Sequence, residues 1–156
     1  TLESHSRSVS SVTFSHDSTR LASGSYDRTI KIWDVSSGEC LQTLSIGEVP
    51  FNISIDTTGL CLHTEIGTIA INASTASGMI SGVTDPQNPN YKGWGLSSDR
   101  AWITYDSKKM IWLPSEYRPS CSAVSGNMIA TGVGSGRVWI YDFDANNPYD
   151  SLRGYV

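Results

Sequence analysis

Residues 5–34, HSRSVSSVTFSHDSTRLASGSYDRTIKIWD, contain three short strand patterns separated by turns, and this segment constrains the fold more than any other part of the chain. Val9 to Phe14 and Thr29 to Asp34 alternate in side-chain character, as the two sides of a β-strand require. Leu21 to Ser25 is a run of small residues suited to a closely packed strand. The connecting segments HDST and YDR carry turn-forming residues, so the whole segment predicts antiparallel β-structure.

This segment, which ends in Trp33 and Asp34, resembles the WD-repeat family, whose members build β-propellers from four-stranded blades of ~40–45 residues. The resemblance implies a hydrogen-bonded tetrad of His5, Ser25, Asp27 and Trp33. His5 precedes Asp27, and Trp33 follows it, at the spacing that the family pattern requires. We interpret the tetrad as structural rather than catalytic, because it accounts for both the His and the Asp and leaves no nucleophile beside them.

The pattern recurs in weaker form along the chain. A first alignment lays Leu60–Ile71 on Leu21–Ile32, but Ile66 and Asn72 replace the Asp and the Trp of the tetrad. A second alignment places Thr104, Asp106 and Trp112 on the Ser, Asp and Trp positions with the same gaps between them. A third lays Ile129–Asp142 on Leu21–Asp34.

The fold class predicted from these repeats is all-β, a partial β-propeller of about four WD-repeat blades with antiparallel four-stranded sheets. The predicted blades cover about residues 5–44, 47–84, 92–114 and 120–142 of a single 1–156 propeller region. The chain has 156 residues, whereas seven blades at ~40 residues need about 280. We therefore expect the C-terminal part of a larger propeller, with a compact four-bladed ring as the alternative. The fourth predicted blade has no outer strand, because the tail from Asn146 to Tyr149 shows no clear pattern.

Composition excludes several classes of function. The net charge is −4 and the eleven Lys and Arg are scattered, so neither nucleic acid nor an anionic membrane is expected to bind. No apolar run reaches the ~18 residues that a membrane-spanning helix needs. The three cysteines fit a reducing, cytoplasmic compartment and show no C-x-x-C zinc pattern. The glycine-rich segment 132–136 resembles a phosphate loop but precedes a strand, so we expect neither a metal nor a cofactor.

The segment from about Gly95 onward resembles the last blades of fungal NACHT and WD-repeat signalling proteins. That resemblance implies a non-enzymatic module that senses a protein partner or an unknown ligand, at the C-terminal end of a NACHT-type receptor. A general WD-repeat scaffold, such as an adapter of mitochondrial fission, is the alternative. A propeller lectin or enzyme that uses the tryptophans against a glycan is a more distant one.

The predicted binding surface consists of the loops before the first strands and the turns between second and third strands, which a propeller places on one face. Its residues are mixed in charge and include two aromatics, as interface anchors often do. They are Arg7, Tyr26, Arg28, Glu48, Glu65, Lys108 and Tyr117.

Overall fold

The computed structural model describes residues 4–71 and 91–144, and the backbone of residues 153–155. The chain divides into two compact units, one of residues 1–62 and 70–89 and the other of residues 63–69 and 90–156. Asn72, the end of the second predicted blade and most of the connection at 85–91 lie outside the described residues.

The first sheet is a four-stranded antiparallel sheet in the order β1-β2-β3-β4. Its strands are β1 (Val9–Phe14), β2 (Arg20–Ser25), β3 (Thr29–Asp34) and β4 (Cys40–Ser45). One side of it holds buried Ala22, Ile30 and Ile32. Gly24 belongs to this side, and a Cβ atom there would lie 2.5 Å from Cγ of buried Pro50. Only a glycine lets the Pro50 segment approach this closely.

The second and third sheets have three antiparallel strands each within the described residues. The second contains β5 (Ile53–Ile55), β6 (Cys61–Thr64) and β7 (Gly67–Ala70), and the third contains β8 (Trp94–Leu96), β9 (Trp102–Tyr105) and β10 (Lys108–Trp112). The third sheet ends at Pro114, and a 3₁₀ turn over Ser115–Tyr117 follows in place of a fourth strand. Proline donates no ladder hydrogen bond, which explains the end of the sheet.

The fourth sheet corrects the expectation that the last blade lacks an outer strand. It contains β11 (Cys121–Ser125), β12 (Met128–Gly132), β13 (Val138–Asp142) and β14 (Arg153–Tyr155), in that order. Strand β14 pairs with β13 from Ile140↔Tyr155 to Asp142↔Arg153. The sequence missed it because a three-residue strand is too short to show an alternating pattern.

The core of the second unit is aromatic and aliphatic. Trp94, Leu96, Ile103, Ile129 and Phe143 are buried together, and the rings of Trp94 and Phe143 stack with centroids 3.6 Å apart. Helical structure in the described residues is limited to the single 3₁₀ turn. The predicted all-β class of antiparallel blades is therefore confirmed.

Candidate functional site

Four side chains of the first sheet form a chain of hydrogen bonds at the end where β2 turns into β3. The ring of His5 donates from Nδ1 to the Asp27 carboxylate at 2.9 Å, and its Nε2 lies 2.8 Å from the Ser23 hydroxyl. The indole N–H of Trp33 donates to the same hydroxyl at 2.8 Å. In the neutral imidazole, Nε2 accepts the Ser23 proton, so each donor meets an acceptor. The network ties the loop before β1 to the second and third strands.

The structure corrects the assignment of Ser25 to this network, because the serine between His5 and Trp33 is Ser23. Trp33 pairs with Leu21 across the sheet, so its indole lies next to Ser23 on the same side. Ser25 is four residues from Leu21, about 13 Å along the strand at ~3.3 Å per residue. The buried Ser25 hydroxyl instead bonds the carbonyl oxygens of Arg7 and Ser8 and accepts from the Asp27 N–H.

Asp27 is the charged centre of the network. Burial by itself would raise the pKa of its carboxyl group, but hydrogen bonds from the Thr29 hydroxyl and His5, and from the Ser6 and Thr29 N–H groups, hold the pKa well below its usual range. The Thr29 hydroxyl donates at 2.6 Å and the Ser6 N–H at 3.0 Å. A carboxylate with this many donors stays ionised and fixes the conformation of the turn.

The third sheet does not reproduce this arrangement, and the tetrad-like assignment of Thr104, Asp106 and Trp112 is wrong. Asp106 and Ser107 both have positive φ, 47° and 63°, and form a two-residue turn of the kind that closes a tight hairpin. The Asp106 carboxylate accepts the Gly93 N–H at 2.8 Å. A bulge between Lys109 and Ile111 then shifts the register, and Trp112 is 52% exposed. Because the turn is shorter and the strand has a bulge, equal spacing in the sequence does not give the same arrangement of side chains.

The fourth sheet has the register of the first, with different side chains. Ile129↔Tyr141 and Thr131↔Trp139 correspond to Leu21↔Trp33 and Ser23↔Lys31, so the alignment of the last predicted blade with the first is confirmed. Tyr141 takes the position of Trp33, Thr131 that of Ser23 and Ser135 that of Asp27. The alignment of residues 129–142 on 21–34 already places Thr131 on Ser23.

Thr131 is 1% exposed, and its hydroxyl oxygen has no hydrogen-bond partner in the described residues. Burial raises the pKa of the Tyr141 hydroxyl, and the contact with the Thr131 hydroxyl opposes that rise. The polar network of the first sheet is therefore not rebuilt in the fourth.

The predicted binding residues of the first unit lie at the turn end of the sheet. Tyr26 is 45% exposed and packs edge-on against Phe51, itself 49% exposed, with ring centroids 5.9 Å apart. Arg28 is exposed, and its backbone has a positive φ of 66°. Arg7 is exposed and Glu48 is half-buried. The sequence did not identify Phe51, whose position depends on the path of the chain after β4.

The predicted binding residues of the second unit differ in accessibility. Lys108 is exposed beside the Asp106–Ser107 turn, and Glu65 is half-buried in the turn after β6, where its carbonyl oxygen accepts the Leu96 N–H. Tyr117 is half-buried in the 3₁₀ turn and packs edge-on against Trp139 at 5.0 Å. Tyr117 therefore presents one edge of its ring rather than a free side chain.

Groups of three or more His, Cys, Asp or Glu placed to hold a metal ion are absent from residues 4–71 and 91–144. Across the same part of the chain, no helix has the length and apolar character needed to cross a membrane.

Comparison with known sequences follows the first repeat closely. Residues 1–34 match the family described as WD domain, G-beta repeat. Vegetative incompatibility protein HET-E-1 of Podospora anserina is 41% identical over 100 residues, which make up 64% of this chain and 7% of that protein. Mitochondrial division protein 1 of Kluyveromyces lactis is 44% identical over 46 residues, which make up 30% of this chain and 6% of that protein. The matches thus span a small part of each relative.

Comparison with solved structures gives the fold. The structure of U3-55K superposes on this chain with a TM-score of 0.51 at 16% identity. The match covers 99% of this chain and 53% of the U3-55K chain. The β-propeller domain of Myceliophteria_thermophila Cps50 (Swd1) gives a TM-score of 0.55 at 13% identity and covers 94% of this chain and 42% of that one. The chain spans about half the length of these two solved chains. The resemblance to the WD-repeat family is confirmed.

Proposed function

We propose that this chain of WD-repeat β-propeller blades is a protein-interaction module that binds its partner through the turn end of the blades. The exposed aromatic pair of Tyr26 and Phe51 beside Arg28 carries this proposal. Aromatic and arginine side chains dominate the binding energy of many interfaces. The turn beneath them is fixed by the Asp27 network, so little conformational entropy is lost when a partner binds.

The finer proposal is that the module is the C-terminal sensor of a fungal NACHT-type signalling protein. Similarity to HET-E-1 over 64% of the chain supports it. Sequencing the gene on the 5′ side of this segment tests it. A nucleotide-binding NACHT domain in the same reading frame is the expected result. A reading frame with no nucleotide-binding domain contradicts the receptor assignment and leaves the interaction module standing.

An adapter of mitochondrial fission is the second candidate, supported by the 44% identity over 46 residues to Mitochondrial division protein 1. The match covers 30% of this chain, against 64% for HET-E-1, so it is less specific. Heptad repeats of apolar residues encoded upstream, in place of a NACHT domain, would favour the adapter.

The interaction itself is tested with matched variants of the whole chain. We would screen a library from the source organism for partners of the wild type, of Tyr26→Ser/Arg28→Glu and of His16→Ser. His16 is exposed in the β1–β2 turn, at the opposite end of the strands. A partner confirmed with purified proteins should bind the wild type and His16→Ser equally. It should bind the double variant roughly a hundredfold more weakly, as the loss of two interface anchors predicts.

Full binding by the double variant, or loss of binding in His16→Ser alone, contradicts the proposed surface. Turnover of a small molecule or glycan by the purified chain would instead favour the enzyme or lectin alternative. The Asp27→Ala variant is unsuitable as a probe here, because it disturbs the turn that presents the surface.

A further inference from the structure

The fourth sheet has a cavity of about 420 Å³ at its turn end, and the cavity is partly open to solvent. The 3₁₀ turn before β11 forms one wall, and the β12–β13 turn with the start of β13 forms the other. The side chains that define it are Glu116, Tyr117, Arg118, Ser135, Arg137 and Trp139.

The cavity occupies the part of the fourth sheet that corresponds to the polar network of the first. Tyr117 lies in the segment that leads into β11, as His5 lies in the segment that leads into β1. Ser135 is the centre of the β12–β13 turn, as Asp27 is of the β2–β3 turn, because the paired residue numbers are symmetric about each. The fourth sheet thus has a hydroxyl where the first sheet has a carboxylate that receives several hydrogen bonds.

The charges around the cavity suit an anion. Arg118 and Arg137 line it and are exposed, and the only carboxylate among the lining residues is Glu116. Arg118 uses Nε to bond the Leu113 carbonyl at 3.3 Å, and its charge also acts on the nearby Asp99 carboxylate. The lining residues thus include two cations and one carboxylate, in a chain whose net charge is −4. Guanidinium groups bind carboxylates through paired, charge-assisted hydrogen bonds.

The aromatic wall adds an apolar contact. Tyr117 and Trp139 pack edge-on at 5.0 Å and are both half-buried, so they are held in place. The unpaired hydroxyl of Thr131 is buried on the side of the sheet that carries Trp139, its partner in register. The site therefore combines two arginines and two fixed rings around the turn position that Asp27 holds in the first sheet.

We propose that this cavity binds an acidic side chain, Asp or Glu, from a partner protein, which supplies in trans the carboxylate that Asp27 supplies within the first sheet. The assignment rests on the proposed interaction function and names one contact of that interaction. The aliphatic part of the acidic side chain would lie against Trp139, and its carboxylate would meet Arg137 and Arg118.

The test uses the whole ¹⁵N-labelled chain and the blocked peptide acetyl-Gly-Gly-Glu-Gly-Gly-amide. The indole N–H resonance of Trp139, assigned from its loss in Trp139→Phe, should shift in a saturable manner, and added salt should weaken binding. The matched peptide with Gln in place of Glu should leave the resonance unmoved. Arg137→Gln should weaken binding by roughly tenfold, the loss of about one charged hydrogen bond. Lys92→Gln, which removes an exposed cation outside the cavity, should not change it.

Ser135→Asp gives an independent check, because it places a carboxylate in the cavity within the chain itself. This variant should fold and bind the Glu peptide several-fold more weakly. Equal shifts with the Gln and Glu peptides, no shift at all, or unchanged binding in both Arg137→Gln and Ser135→Asp would overturn the proposal. A phosphoserine peptide that shifts the resonance when the Glu peptide does not would overturn the assignment to a carboxylate.

The two proposals can fail separately. A partner that still requires Tyr26 and Arg28 but binds Arg137→Gln with unchanged affinity would leave the interaction function intact and overturn the acidic-contact site. Peptide binding at Trp139, with no partner that depends on Tyr26 and Arg28, would leave the acidic-contact site intact and overturn the proposed interaction surface.

Discussion

The first and fourth sheets share one strand register but hold their turn ends together by different means. In the first sheet, His5, Ser23, Asp27 and Trp33 form a continuous hydrogen-bond chain. In the fourth sheet, Tyr117 packs on Trp139, and the Thr131 hydroxyl at the Ser23 position has no partner among the described residues. The comparison shows that the blade architecture does not require the polar network, because strand pairing and apolar packing are enough to set the register.

Asp27→Ala should have the largest effect, about 2–4 kcal/mol of lost stability, the range for a broken buried network. The change leaves the His5 ring and the Thr29 and Ser6 donors without their acceptor. Ser135→Ala at the corresponding exposed position should cost less than about 0.5 kcal/mol. Hydrogen exchange of β1–β3 and of β11–β13, measured in both variants, separates the two sheets. Equal losses would show that the network does not stabilise the first sheet.

Gly24→Ala should have the next largest effect, a loss of stability of about 1–3 kcal/mol, because its Cβ atom would overlap the rigid ring of Pro50. The equivalent change Gly132→Ala brings the Cβ to 2.7 Å from the Cys121 sulfur, the end of an exposed side chain that can rotate away. We therefore expect a clearly smaller loss for Gly132→Ala in urea denaturation. A larger loss at Gly132 would contradict the packing of the first sheet described above.

The pair Ser23→Ala and Thr131→Val should change stability in opposite directions. Ser23→Ala removes the shared partner of His5 and Trp33 and should cost about 1–2 kcal/mol. Thr131→Val replaces a buried, unpaired hydroxyl with a methyl group of similar size, and should be neutral or stabilise by about 1 kcal/mol. Thermal denaturation measures the direction of both changes in stability. Destabilisation by Thr131→Val would show that its hydroxyl has a partner in solution.

Lowering the pH should destabilise the first sheet before the fourth, and this effect should be smaller than those of the substitutions. Hydrogen bonds from Ser15 and Thr19 lower the pKa of Asp17 to about 2. Hydrogen bonds from Ser36 and Ser37 lower the pKa of Asp34 to about 2. The pKa of Asp27 is lowered further. A carboxyl group with a lowered pKa in the folded state adds stability above its unfolded value near 4, and this is lost as the pH falls through its folded value.

Hydrogen exchange in the first sheet should therefore accelerate between about pH 4 and pH 2. Asp27→Asn, which cannot be protonated, should remove a large part of this dependence. The fourth sheet serves as the internal control, because its β12–β13 turn holds Ser135 where the first sheet holds Asp27. A matching acceleration in the fourth sheet would contradict the prediction.

The first repeat could be predicted from the sequence because its information is local. The three strands from Val9 to Asp34 begin and end within a residue of the predicted positions, since alternation and turn residues define them. The choice between Ser23 and Ser25 could not be made from spacing alone. Both are buried serines on the same side of β2, and only the cross-strand pairing of Trp33 with Leu21 selects Ser23.

The third sheet shows a second limit of spacing. The gaps among Thr104, Asp106 and Trp112 match those of the first repeat, but the two-residue turn and the bulge in β10 place Trp112 at the surface. A turn and a bulge change the register by whole residues, and each such step moves a side chain to the other side of the strand. A sequence alignment without gaps does not register either change.

The sequence by itself determined the all-β class and the blade period, because these depend on local periodicity, and its resemblance to the WD-repeat family implied the roles of His5, Asp27 and Trp33. The tertiary structure alone decided which serine completes the network and that β14 closes the fourth sheet. It also decided that the turn of the fourth sheet leaves a cavity between two arginines and two aromatic rings. These features depend on which residues meet across strands, and hydrogen bonding and packing between distant residues set that pairing.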